Sequence, residues 1–395
     1  MAWTEREVRE RAADLDHHDP RFVVEPWPVY AEVRRACPVA RSERYGGFWL
    51  VTRYEDVTAA AKDWQTFTSS VANVTAIPSS HPREEPDLPV EIDPPLHTRY
   101  RQLVAPVFTR HYVASLKPRV RELAGGLLDR ILDAGGGDLV SGLSTPLSVG
   151  TLALFMDLPD EDHGRWASWV RRMYDPRDQE GAHASTREYF AYCDELVASR
   201  RGEFVRMLLE AEVEGSRLTE QDVAQFMRVL LIAGHETTAA SMSHALRYLA
   251  ENPDEQRRLR DDRGLIPTAV DEFLRYFSVV TLQARNATRD VVVGGADIAE
   301  GDVVALGFAA ANHDETVFPE PERCVLERTP NRHVAFGFGP HVCLGAHVAR
   351  LELEVMLELV GERVGELALA PGEEPTWNGT GSVRGLASLP VLMQR

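Results

Sequence analysis

Ten residues, Phe336-Gly337-Phe338-Gly339-Pro340-His341-Val342-Cys343-Leu344-Gly345, place one cysteine in a turn made irregular by three glycines and a proline. A helical pattern over residues 346–360 comes directly after it. A thiolate held there sits beside a helix N-terminus, where the dipole and free backbone amides stabilise negative charge on sulfur. A metal-bound thiolate has that requirement. The glycines also let a flat metal macrocycle such as a haem come close to the backbone, and Phe336 is placed to cover the sulfur against water and oxidants. Cys343 is thus a candidate metal ligand. A cysteine in a glycine turn is, by itself, more often a packed free thiol, and it is the whole string that tips the reading.

A second string, Ala233-Gly234-His235-Glu236-Thr237-Thr238, interrupts the pattern of a long helix over residues 222–251. Glycine and two adjacent β-branched residues are unfavourable inside a helix, so something must offset them. A glycine and a back-bonding hydroxyl loosen the helix ladder and open a groove. The apolar run over residues 229–233 implies a buried helix, and a buried glutamate is kept only with partners or a task. Glu236 beside Thr237 suits proton transfer; a bare Glu-Thr-Thr elsewhere would be a solvated face. His235 reads as a packing or pocket residue. Glu272 and Arg275 lie three apart on one helix face, a spacing common in surface ion pairs, but their neighbours Phe273, Leu274 and Phe277 suggest burial.

These groups need elements to hold them. Helical periodicity dominates, with amphipathic segments over residues 112–134 and 222–251, and strand patterns are short: residues 48–52, 290–293, Val303–Leu306 and 386–392. Strands near both ends with helices between them predict a mainly α (α+β) protein, and 395 residues without a linker or repeat predict one domain over residues 1–395. Gly135-Gly136-Gly137 comes after a helix, so it is read as a helix stop and not as a dinucleotide-binding loop. The segment over residues 69–92, with four prolines and no period, is expected to be a substrate-side flap.

Composition excludes other classes. With 43 basic and 61 acidic residues the net charge is -18, which argues against nucleic acid or an anionic membrane as partner. The first sixteen residues are charged and lack an apolar core, and no apolar run reaches the roughly 18 residues of a membrane span, so a cytoplasmic location is expected. The four cysteines, Cys37, Cys193, Cys324 and Cys343, are too far apart for a zinc or iron-sulfur cluster of paired thiolates. The first three are expected to be ordinary packed thiols.

The cysteine string resembles the haem-binding signature of the cytochromes P450, Phe-x-x-Gly-x-His-x-Cys-x-Gly, at every fixed position. The resemblance implies a mainly helical fold with small β-sheets, in which haem b lies between a long distal helix and a proximal helix that begins just after Cys343. Residues 233–238 resemble the family's acid-alcohol motif, in which Thr237 holds the oxygen side and Glu236 relays protons. The same resemblance implies haem contacts from Ala233, Gly234, Phe336, Gly339 and Gly345, and propionate contacts from His97, Arg101, Arg285 and His341. Glu272 and Arg275 resemble the family's Glu-x-x-Arg, and Arg323 fits the place of the later arginine that packs with it, although Cys324 stands where an aromatic is usual. By family position the pocket draws on Val71 to Ile77, Leu230, Ala233, Thr237, Val280, Thr281, Ser382 and Val383.

The function so implied is that of an oxygenase that oxidises an apolar small molecule, such as a secondary metabolite, a terpenoid or an aromatic compound. Electrons would pass from NAD(P)H through a separate ferredoxin or flavodoxin with its reductase, docking near Cys343 with Arg99 and Arg110 as candidate contacts. A monomer is expected. The same chemistry also serves oxidative coupling, ring closure or demethylation, and a haem sensor or carrier without turnover is the alternative from another class.

Overall fold

The computed structural model describes residues 3–78, 86–158, 162–173, 179–378 and 381–395, so part of the expected flap, residues 79–85, lies outside the described residues. The chain is mainly α with small sheets. Its longest helix, Glu220–Glu251, starts at a capping box. Thr219 Oγ1 accepts the Asp222 amide at 3.1 Å, and the Asp222 carboxylate accepts the Thr219 amide at 2.8 Å. Such reciprocal caps satisfy two otherwise unpaired donors.

Around that helix lie Lys117–Asp133, Thr145–Met156, Ile266–Phe277 and Ala346–Arg363, all contributing to the largest core cluster. Thr145–Met156 is buried on nearly every side, since its residues Leu147 to Ala153, Phe155 and Met156 are all inside. Each large apolar side chain so buried contributes about 1.5–3 kcal/mol. The expected helix over residues 112–134 is two helices, Arg110–Ser115 and Lys117–Asp133, because Pro118 opens the second at its first turn and has no amide to continue the first.

A five-stranded sheet runs in the order Val39–Ser42, Phe48–Val51, Val303–Leu306, Gln283–Ala287, Phe67–Thr68, with Phe48–Val51 and Val303–Leu306 parallel. It places Arg285 opposite Val304. A second sheet orders Glu366–Leu369, Pro390–Gln394 and Gly136–Asp138. The triple glycine does end a helix, at Asp133, but it also enters this sheet. Gly136 has φ +142°, and a Cβ there would lie 2.2 Å from Val391 O, an approach that only glycine allows.

Candidate active site

The cysteine loop is closed by its own backbone: the Cys343 amide donates to Phe336 O at 2.7 Å. Gly339 has φ +73°, and a Cβ on it would stand 2.4 Å from Ala61 O, so this glycine seats the loop against the helix Tyr54–Lys62. Gly345 caps Ala346–Arg363, and its amide donates to the Cys343 sulfur. Arg350 lies over the Phe336 ring at 4.6 Å and is anchored by Asp271 at 2.8 Å. Cys343 is accessible, yet it is set so deep that burial raises its thiol pKa, opposed by the Gly345 amide, Arg101 and Arg350. Access combined with a dense surround marks a residue lining a cleft.

The helix Glu220–Glu251 opens at one place on its inner half. Ala233 is exposed, while Leu231 and His235 beside it are buried. The helix stays unbroken here, contrary to a loosened ladder, and its hydroxyls bond backward. Thr237 donates to Ala233 O at 2.9 Å and Thr238 to Gly234 O at 3.2 Å. Ser148, from Thr145–Met156, donates to the same Gly234 carbonyl at 3.4 Å. His235 Nδ1 back-bonds Leu231 O at 2.6 Å, and burial lowers its pKa to about 4, so it is a neutral packing residue. Glu236 accepts from Asn378 Nδ2 at 3.3 Å, a partner 142 positions away that no local pattern in the sequence signals.

Four basic side chains converge beside the cysteine loop. The His97 and His341 rings lie 4.1 Å apart, Arg101 donates to Val342 O at 2.6 Å, and Arg285 donates to Ala284 O at 2.6 Å. Burial, with the neighbouring cations Arg285, His97 and Arg101, pushes His341 down to about 2. Burial and Arg101 push His97 down to about 4, and burial pushes Arg285 down to about 10. Asp93 is the acid that opposes these shifts at His97 and Arg285, and it already accepts from Thr68 and from the Ser69 amide at 2.9 Å. His97 Nδ1 is buried without a hydrogen-bond partner. A buried cluster of donors with so little matching negative charge calls for an anionic ligand. A haem with two carboxylates and an iron that takes a thiolate matches this donor set.

The buried ion network corrects one assignment. Glu272 and Arg275 are fully buried and joined by two bonds of 2.8 Å, but the third member is Arg328, whose Nε lies 3.0 Å from Glu272 Oε2. Arg323 points outward, 66% exposed, and pairs with Glu320; it gives the network only its carbonyl, which accepts from Arg275 at 2.9 Å. Two tight carbonyl contacts explain the difference. Arg275 also donates to Pro321 O at 2.9 Å, which together with the Arg323 carbonyl contact fixes the chain around 321–323 by backbone and turns the Arg323 side chain to solvent.

The expected pocket residues divide. Leu230 is half-buried, Val280 and Val383 form an isolated bridge, and Ser382 accepts the Thr281 amide at 3.1 Å. Val71 is 41% exposed. Ile77 instead packs into the second core cluster with Leu15 and Phe22, and the fully buried Thr281 donates its hydroxyl to Gly381 O at 2.6 Å. Both are turned into the scaffold that holds the pocket. Arg99 pairs with Glu214, and Arg110 is exposed.

A cysteine cleft flanked by two arginines and two buried imidazoles, with an acid-alcohol pair on the helix Glu220–Glu251, fits a haem-binding oxidoreductase. The family model for cytochrome P450 matches residues 171–363. Nocardicin C N-oxygenase of Nocardia uniformis subsp. tsuyamanensis is 37% identical, with 92% of this chain and 94% of the relative covered. Cytochrome P450 monooxygenase PikC of Streptomyces venezuelae is 34% identical, with 97% and 94% covered. The solved structure of cytochrome P450 CYP109Q5 from Chondromyces apiculatus superposes with a TM-score of 0.87 at 32% identity, covering 97% of this chain and 99% of that one. The chain belongs to the cytochrome P450 family, and it is a monooxygenase of that family with a haem cofactor. Among the described residues no helix is long and apolar enough to cross a membrane.

Proposed function

We propose that this chain oxidises an apolar small molecule of secondary metabolism, a terpenoid or aromatic compound among them, with Cys343 as the proximal ligand of haem b. The observation that carries the reading is the convergence of His97, Arg101, Arg285 and His341, with His97 Nδ1 unpartnered, next to an accessible Cys343. In this reading Arg101 and Arg285, with the neutral imidazoles of His97 and His341 as hydrogen-bond donors, hold the propionates, and Arg–carboxylate contacts keep a planar cofactor in register. The haem, when bound, supplies the activation of dioxygen, and its thiolate ligand favours O–O cleavage. The Gly345 amide, Arg101 and Arg350 favour negative charge on the sulfur against the effect of burial, and Phe336, under Arg350, would shield it from water once the haem is bound. Ala233 would leave room beside the haem, where Thr237 would present its hydroxyl and Glu236 would pass protons inward from solvent, whereas Gly234, expected to contact the haem, is needed for packing, because a Cβ on it would lie 2.8 Å from the Leu152 side chain.

Leu230, Val280, Val383 and Ser382 form the substrate wall in this proposal, and the flap with Val71 closes it. Electrons come from NAD(P)H through a ferredoxin or flavodoxin and its reductase, which dock on the cysteine side near Arg110. The protein works as a cytoplasmic monomer. The nocardicin relative is named for oxygenation at nitrogen and PikC as a monooxygenase, which supports oxygen insertion over coupling, ring closure or demethylation. The Glu236–Thr237 pair favours turnover over a sensor or carrier role.

The test is the reduced carbon monoxide spectrum combined with oxygen-18 labelling. Wild type should give the thiolate-type Soret band, and a compound found by its shift of the haem absorption should gain one labelled oxygen from dioxygen. Cys343→Ala retaining that band would overturn the ligand assignment, and product without label would move the reading to coupling.

A further inference from the structure

Glu236 receives its amide donor from Asn378, and everything around that asparagine fixes which way the amide faces. Asn378 is 8% exposed. Its backbone amide donates to Gly385 O at 3.1 Å, and its Oδ1 accepts the Gly385 amide at 2.9 Å. The oxygen is thereby committed, so Nδ2 is the atom turned to Glu236. A flipped amide would set NH2 against N–H and carbonyl oxygen against carboxylate, and both contacts repel. Gly385 is also required here, since a Cβ on it would lie 2.6 Å from Asn378 Nδ2.

The hairpin that carries Asn378 is rigidly attached. Thr376–Trp377 pairs with Leu386–Ser388, and the Thr376 and Ser388 hydroxyls meet at 2.7 Å. Arg384, fully engaged, donates to Val23 O, Phe277 O and Val24 O at 2.7, 3.1 and 3.1 Å. His244 Nε2 bonds Arg384 O at 3.2 Å. The hairpin therefore grips the helix Glu220–Glu251 at two places, Glu236 and His244, about two turns apart.

We propose that Asn378 is a positioning residue for proton delivery: it holds the Glu236 carboxylate in one orientation and, as an obligate donor, favours its charged, proton-accepting form. The inference rests on the proton-relay reading of Glu236. A neutral amide that only donates stabilises a carboxylate over its acid, so each proton handed inward leaves a group ready to accept the next.

Asn378→Asp is the informative substitution. It keeps the shape and the oxygen that accepts the Gly385 amide, and replaces only the donor facing Glu236 with an acceptor. The holoenzyme is titrated by infrared difference spectroscopy between pH 5 and 9, with the Glu236 carboxyl band assigned by its loss in Glu236→Gln. Peroxide released per NADPH oxidised is measured alongside, with a plant-type ferredoxin and its reductase as electron source. In Asn378→Asp the carboxyl band should persist at least tenfold lower in proton concentration than in wild type, about one pH unit or more, and peroxide release should rise toward that of Glu236→Gln. Asn378→Leu, which removes the donor without adding charge, should shift the band less. An unmoved band together with wild-type peroxide release in Asn378→Asp overturns the proposal. So does loss of haem and thermal stability in both variants with the Glu236 band in place, because Asn378 is then only structural. If Glu236→Gln itself leaves peroxide release unchanged, the relay reading fails instead, whatever the band does.

Discussion

Replacing Arg328 by alanine removes one of two guanidinium groups from a carboxylate that water does not reach. Glu272 is 0% exposed and Arg328 only 9%, whereas Arg323 is 66% exposed. Breaking a buried pair costs about 3–5 kcal/mol, and the surviving Arg275 argues for the lower end, about 3 kcal/mol. Unfolding entropy near 2.1 cal/mol/K per residue, over 395 residues, gives about 0.8 kcal/mol per degree, so the melting temperature should fall by about 4 °C. Arg323→Ala removes only an exposed pair with Glu320, worth about 0–0.5 kcal/mol, and should shift melting by less than about 1 °C. Thermal unfolding followed by circular dichroism, at matched haem content, compares the two. Equal shifts, or an unshifted Arg328→Ala protein, would refute the assignment of the third member.

Acid should weaken the fold through His244. It is buried against Phe277, and burial first, then Arg384 and Arg247, lowers its pKa to about 3. The unfolded chain takes up this proton near pH 6.5 and the folded one does not, so stability is full above that pH and falls by up to about 1.4 kcal/mol per unit on the way down toward 3. Urea unfolding between pH 7 and 4.5 should show a shallower acid slope for His244→Phe; parallel slopes would count against a neutral His244. Gly339→Ala forces a Cβ against Ala61 O at a positive φ and should lower both melting temperature and haem retention, by about 1–3 kcal/mol in stability. Gly126→Ala, in the helix Lys117–Asp133 with nothing near the added carbon, is the control and should be neutral or stabilising. The reasoning fails if the two behave alike.

The sequence made visible what is local. The cysteine turn, the helix after it, the long helix with its six-residue interruption and the strand Val303–Leu306 all arise from spacing within a few turns of chain. Long-range pairing was not visible in the same way. Arg323 and Arg328 are similar residues in one irregular stretch, and the carbonyls of Pro321 and Arg323 on Arg275 decide which side chain turns inward. Asn378 carries no periodic mark, because its partner is on another helix. The reason for Gly339 lies in Ala61, and the reason for Gly136 in Val391. A loosened distal helix was expected from residue types, but the helix runs unbroken through residues 233–238 although Thr237 and Thr238 bond backward.

The two larger sheets each join an early strand to a late one: Phe48–Val51 lies beside Val303–Leu306, and Gly136–Asp138 beside Pro390–Gln394. A ribosome delivers the chain from one end, so both early strands wait, edges bare, while most of the protein is still unmade. Arg285 and His341 are late as well. On the proposed site, haem capture would wait for the finished chain: a polypeptide stalled before residue 303 completes neither of these sheets, and one stalled before residue 343 lacks the proposed ligand Cys343.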